Sequence, residues 1–172
     1  MRVLGIDPGT QVMGYGVVEE ERGNLRPVGN GTISPTGELA ERLGRLYEGL
    51  QELIRTFSPD AVVMESPFYA KNVVSTLKLG QVQGVVVLAA NHASLDSCSY
   101  TPLEIKAALV GYGRATKAQV REMVKRLLGI DGALSLDASD ALAVAICHIH
   151  TAELKGRYGQ DLPTRQGRAT GR

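Results

Sequence analysis

The stretch Arg2-Val3-Leu4-Gly5-Ile6-Asp7-Pro8-Gly9 decides the fold. Val3 to Ile6 is a short apolar run, and the Asp-Pro-Gly that follows suits a tight turn. The pattern predicts a buried strand over residues 2–7. Residues 13–19, with their glycines, read as its hairpin partner. Residues 25–33 read as a third strand, weakened by Pro27 and two glycines. The period then changes. Leu39, Leu43, Leu46, Leu50, Leu53 and Phe57 recur at helical spacing, and that helix ends before Pro59. Residues 61–65 form another short buried strand, 71–94 a long helix, 97–101 a strand and 102–109 a short helix. Val120, Met123, Val124, Leu127 and Leu128 share one helical face, and residues 138–150 make an Ala-rich helix able to pack closely on a sheet. Strands joined closely at the start, then alternating with helices, give an α/β sandwich. Its opening strands pair antiparallel, and the later ones join in parallel through helical crossovers.

Four acidic residues mark the boundaries of these elements. Asp7 and Glu65 each close a buried strand, and Asp137 and Asp140 open the Ala-rich helix. A carboxylate at the C-terminal edge of a strand points into the crevice where open α/β sheets bind ligands. Residues three apart at a helix start can face the same space. Singly, each has a plainer role: Asp7 in a turn, Glu65 at a solvated strand end, Asp137 as an N-cap with Asp140 in the first turn. Together, four carboxylates without counter-charge would repel and raise one another's pKa. Mg²⁺, which favours oxygen ligands and phosphates, relieves that repulsion. The pattern therefore points to metal-dependent phosphoryl transfer, with ligands enough for two ions.

Length and composition fit this reading. At 172 residues, 44% hydrophobic and 22% charged, the chain reads as one soluble domain with a substantial core. We place that domain at residues 1–154, followed by a basic tail, 155–172, rich in Gly, Arg, Gln and Thr and expected to be disordered. The net charge of +1 hides local patches, so it does not exclude nucleic acid. Cys98 and Cys147 form no Cys-x-x-Cys motif and read as reduced structural thiols. His148 and His150, two apart on a helix, point in different directions, which argues against zinc. The start does not resemble a secretory signal, and the apolar run 85–90 is too short to span a bilayer. A cytoplasmic protein without a membrane partner is expected.

The long helix is apolar over more than one stripe around residues 85–90, and Gly80 and Gly84 would let another element approach closely. A partner surface and burial within the domain itself both account for this. On the first account the helix around residues 80–90 supplies a dimer interface, and a charge at Val86 should leave monomers.

The residues also resemble a known family. Gly5-Ile6-Asp7-Pro8-Gly9 with Gly14-Tyr15-Gly16, then Glu65-Ser66-Pro67-Phe68-Tyr69-Ala70-Lys71-Asn72, Leu79-Gly80-Gln81 and Asp137-Ala138-Ser139-Asp140-Ala141-Leu142-Ala143, are similar to the motifs of the RuvC family of Holliday junction resolvases. The resemblance covers residues 1–150 in the expected order. It implies an RNase H-like fold, a mixed five-stranded sheet flanked by helices. It implies a homodimeric endonuclease that cuts four-way DNA junctions with Mg²⁺, two ions per site and Mn²⁺ as a substitute. Two strands of like polarity are nicked, leaving 5′-phosphate and 3′-hydroxyl ends, in recombination and repair alongside the RuvA–RuvB branch-migration complex. By position, the metal ligands are Asp7, Glu65, Asp137 and Asp140. Lys106 and Lys117 match basic catalytic positions near the cleaved strand, and Phe68 matches an aromatic that engages junction bases. Tyr69, Lys71, Asn72, Arg114 and Arg121 complete the expected DNA contacts.

Three other classes share parts of this pattern. Asp7-Pro8-Gly9-Thr10 also resembles the phosphate hairpin of actin-like ATPases and sugar kinases, but those need a duplicated fold and this chain is too short for one. A nuclease maturing ribosomal RNA would lack the dimer-forming helix and the junction preference. In a non-catalytic junction-binding module the carboxylates would be structural.

Overall fold

The computed structural model describes residues 1–66 and 73–158. In chain order the elements are β1 (Arg2–Asp7), β2 (Met13–Glu21), β3 (Asn24–Ile33), α1 (Leu39–Phe57), β4 (Ala61–Glu65), α2 (Val73–His92), β5 (Asp96–Tyr100), α3 (Pro102–Val110), α4 (Lys117–Leu128) and α5 (Leu136–Tyr158). One five-stranded sheet runs in the order β3-β2-β1-β4-β5. β1, β2 and β3 pair antiparallel, whereas β4 lies parallel to β1 and β5 parallel to β4. The mixed sheet flanked by helices is the arrangement expected from the sequence.

Alternation along the strands splits the core in two. Val3, Val18 and Val63 point to the face covered by α3, α4 and α5. Leu4, Ile6, Met13, Val17, Val62 and Met64 point to the face covered by α1 and α2. β1 and β4 are thus buried on both sides, which is why each reads as an unbroken apolar run. α5 approaches its face unusually closely. A Cβ at Gly5 would lie 2.1 Å from the Ala141 carbonyl oxygen, and one at Gly14 2.2 Å from that of Asp137. Glycine at these two strand positions, with alanines on the helix, lets α5 rest on the backbone of the sheet.

The helices that frame the open edge are pinned at their starts. Thr101 Oγ1 accepts from the Glu104 N–H while the Glu104 carboxylate accepts from the Thr101 N–H, and Thr116 and Gln119 repeat the pattern for α4. For α5 the cap is Ser135, whose Oγ accepts from the Ala138 N–H. Asp137 is therefore not the N-cap. It lies in the first turn, and the helix starts two residues earlier than the sequence suggested. It also runs on to Tyr158, so residues 155–158 of the predicted tail are helical, and residues 159–172 lie outside the described residues.

α2 answers the question left by its composition with both readings, one on each side. Val82, Val86, Ala89 and Ala90 are buried against the sheet and α1. Val73, Leu77 and Leu88 are 72%, 66% and 47% exposed, and with Gly80 and Gly84, which have open space beside them, they line the opposite side at helical spacing. Val86 is fully buried, so the expectation that a charge there would separate monomers is corrected: it would break the core instead. By length and composition alone α2 could cross a membrane. Its packing on α1 and the sheet, and the polar Lys78, Gln81 and Gln83 in its middle, tie it to the domain instead.

Candidate active site

β1 and β4 run in parallel with Ile6 beside Met64, so Asp7 and Glu65, the last residues of their strands, emerge at the same sheet edge. Asp7 is in register with Gly14 on β2, and the missing side chain of Gly14 admits the Asp137 backbone. The first turns of α5 thus lie over the strand ends and bring Asp137 and Asp140 to Asp7. α3 contributes Lys106 and α4 contributes Lys117 at its first position. A cavity of about 180 Å³ opens here, lined by Glu65, Asp140, Lys106 and Lys117 over an apolar floor that includes Ile105 and Val120.

The charges are strongly coupled. Burial pushes the Asp7 carboxyl up to about 7, reinforced by the carboxylates of Asp140, Glu65 and Asp137 and opposed by Lys117. Glu65 is raised too, by burial and then by Asp140, while Lys117 and Lys106 pull it down. Lys117 Nζ donates to Asp140 Oδ2 at 2.7 Å, and that bond holds the ammonium above its ordinary value. Four carboxylates against two lysines leave an excess of two negative charges when all are ionised. Among the described residues, no three carboxylate, imidazole or thiol groups stand close enough to share one ion as they are. The donor set itself fits a hard divalent cation: half-buried, all-oxygen and short of positive charge.

The remaining sequence candidates divide. Arg114 is exposed between α3 and α4, and Arg121 is half-buried on α4; neither lines the cavity. Phe68, Tyr69, Lys71 and Asn72 lie outside the described residues. The two histidines diverge as their spacing predicted. His148 Nδ1 meets the Tyr100 hydroxyl at 2.9 Å and Cys98 Sγ at 3.4 Å, whereas His150 Nδ1 meets the Ala108 carbonyl at 3.2 Å. Both cysteines are free thiols.

Sequence reasoning missed the groups that brace the edge. Gln83 Nε2 donates to the Glu65 carbonyl at 3.4 Å, and the Ser66 N–H donates to the Tyr100 carbonyl at 2.8 Å. Arg42 reaches from α1 to the Thr10 carbonyl. A polar Gln83 in an apolar helix was a usable signal. Arg42 on an amphipathic helix gave none, because a solvated cation looks the same in sequence.

Comparison with known proteins agrees on one family. The family model described as Crossover junction endodeoxyribonuclease RuvC matches residues 3–148. A curated relative of that name from Syntrophotalea carbinolica is 49% identical over 156 residues, covering 90% of this chain and 97% of that protein. Another, from Geobacter metallireducens, is 48% identical over 157 residues, with 90% and 96% covered. Among solved structures, T. thermophilus RuvC in complex with a Holliday junction substrate superposes with a TM-score of 0.85 at 32% identity, covering 90% of this chain and 96% of that one. The sheet order and helix placement are those of the RNase H-like fold shared with these proteins.

Proposed function

The chain belongs to the RuvC family of crossover junction endodeoxyribonucleases and resolves Holliday junctions in recombination and repair, and from its geometry we propose how it does so. The observation that carries the proposal is the convergence of Asp7, Glu65, Asp137 and Asp140 on one sheet edge, where burial and the other carboxylates raise the Asp7 carboxyl. Asp7, Glu65, Asp137 and Asp140 would hold two Mg²⁺ ions, with Mn²⁺ as a substitute. Bound there, such ions supply an activated water and stabilise the leaving oxygen of an in-line displacement, giving 5′-phosphate and 3′-hydroxyl ends.

The chain's own groups do the rest. Asp140, paired here with Lys117, would be one of the ligands to such ions, and Lys117, whose side chain is 73% exposed, would then be free to meet the charge of the scissile phosphate. Lys106 faces the same cavity and meets the same charge. Arg114 and Arg121, with Tyr69, Lys71 and Asn72, contact the backbone of the arms, where affinity arises. Phe68 stacks on a junction base, a contact worth about 1–3 kcal/mol.

Two symmetry-related strands of like polarity require two sites, which a C2 homodimer provides. The exposed stripe of α2, from Val73 through Gly80 and Gly84 to Leu88, is the surface we assign to it. The nuclease domain, expected over residues 1–154, extends through the end of α5 at Tyr158, and the basic tail follows it. The protein works in the cytoplasm with the RuvA–RuvB complex.

The test is cleavage of a four-way junction in Mg²⁺ beside duplex and RNA controls, with products mapped on all strands. Paired nicks in strands of like polarity support the proposal. Equal cutting of the duplex, or activity without a divalent cation, would end it.

A further inference from the structure

We propose that Arg42 is a positioning residue of the nuclease site: its guanidinium holds the loop of residues 8–12 and, through it, the direction of the Asp7 carboxylate. The proposal rests on Asp7 belonging to the reacting centre. Arg42 sits near the start of α1, on the sheet face opposite α5. Its Nη1 donates to the Thr10 carbonyl at 3.5 Å, a contact spanning 32 residues of chain.

Solvated helix arginines keep their charged heads in water. Arg42 does not. Its Nε is buried without a hydrogen-bond partner, and among the described residues it has no carboxylate within 4.0 Å. A buried, unpaired donor is a cost that helix packing alone does not require. The loop it reaches explains the placement. Pro8 has no N–H to offer, and Gly9 leaves no room, since a Cβ there would lie 2.0 Å from the Val12 carbonyl oxygen. Among the described residues, no other side chain hydrogen-bonds to the backbone of residues 8–12. The two ends of the loop are held by the β1–β2 and β2–β3 ladders, and among the described residues the Arg42 contact is the one side-chain hydrogen bond to the backbone between them. Small displacements of a reacting group reduce rates steeply.

Arg45, three residues on, supplies a control. Its Nη1 donates to the Thr36 carbonyl at 2.9 Å, bracing a loop that carries no candidate ligand.

The experiment compares Arg42→Met, Arg42→Lys and Arg45→Met in single-turnover junction cleavage, Mg²⁺ titration, junction affinity across salt concentrations, and melting. Arg42→Met should slow cleavage by about 10–100-fold and raise the Mg²⁺ needed for half-maximal rate. Junction affinity, its salt slope and the melting temperature should match those of Arg45→Met, and Arg42→Lys should recover part of the rate. A weakened affinity with a salt slope reduced by about one would make Arg42 a phosphate contact and overturn the proposal. So would an unchanged rate, or a rate loss that only tracks lost melting temperature. Asp7→Asn, assayed alongside, separates the two readings. Full activity in that variant removes Asp7 from the centre whatever Arg42 does.

Discussion

With a pKa near 7, Asp7 is about half protonated at neutral pH until a cation arrives. This makes stability depend on pH in a direction opposite to that of a salt-bridged aspartate. Between the ordinary value of 3.8 and about 7 the folded chain binds the proton and the unfolded chain does not. The stability given by the protonated form is complete below the lower value and is lost as pH rises through the upper one. At about 1.4 kcal/mol per pKa unit, the effect is measurable by melting. Metal-free protein should therefore lose melting temperature from pH 5 to pH 8, Mg²⁺ should restore it at pH 8, and Asp7→Asn should flatten the profile. A wild type whose metal-free melting rises over that range would contradict the convergence of charges at Asp7. The same variant should lose several orders of magnitude in cleavage rate and keep its affinity for junctions, as read by single-turnover kinetics and gel shift. The convergence of the four carboxylates on one edge could be expected from the sequence because each stands at the boundary of an apolar run. The Lys117–Asp140 pair could not, because 23 residues separate its members and only the packing of α4 on α5 joins them.

At the scale of elements, the strands and helices followed from periodicity to within a few residues, since strands buried on both faces and one-sided helices leave distinct patterns. α2 is the exception. Its apolar residues encircle it, so no pattern marks which side meets the sheet, and Val86 was assigned to the wrong side. Leu77→Glu and Leu88→Glu now test the assigned interface. Each should fold with unchanged melting temperature and sediment as a monomer that nicks poorly, whereas Val86→Glu should fail to fold. A dimer surviving both exposed substitutions would move the interface elsewhere. The seat of α5 makes a separate prediction. Gly14→Ala forces a methyl group against the Asp137 carbonyl, so the helix must lift. Overpacking of this kind costs about 1–3 kcal/mol. Cleavage should fall further than the unfolded fraction explains, because the helix that lifts carries Asp137 and Asp140. Equal losses of activity and folded fraction would show that the close approach serves packing alone.

For the whole molecule, a near-neutral charge conceals a basic side formed by α3, α4 and their connection. Replacing Lys106, Arg114, Lys117 or Arg121 with alanine should each lower the logarithmic salt slope of junction binding by about one. Four unchanged slopes would place the DNA on another surface. Sequence could name these cations but not group them, since only the fold brings Lys106 and Lys117 to one cavity. A last consequence follows from the order of elements along the chain. α2 begins only eight positions after Glu65. In the proposed dimer the joining surface would lie close in sequence to a strand that carries a candidate ligand. Such a dimer would act as a calliper, its two jaws set by the helix pair, and the branches of the junction would move to meet them. A linear duplex, which cannot offer two exchanging strands at that gauge, would fill one jaw and leave the other empty.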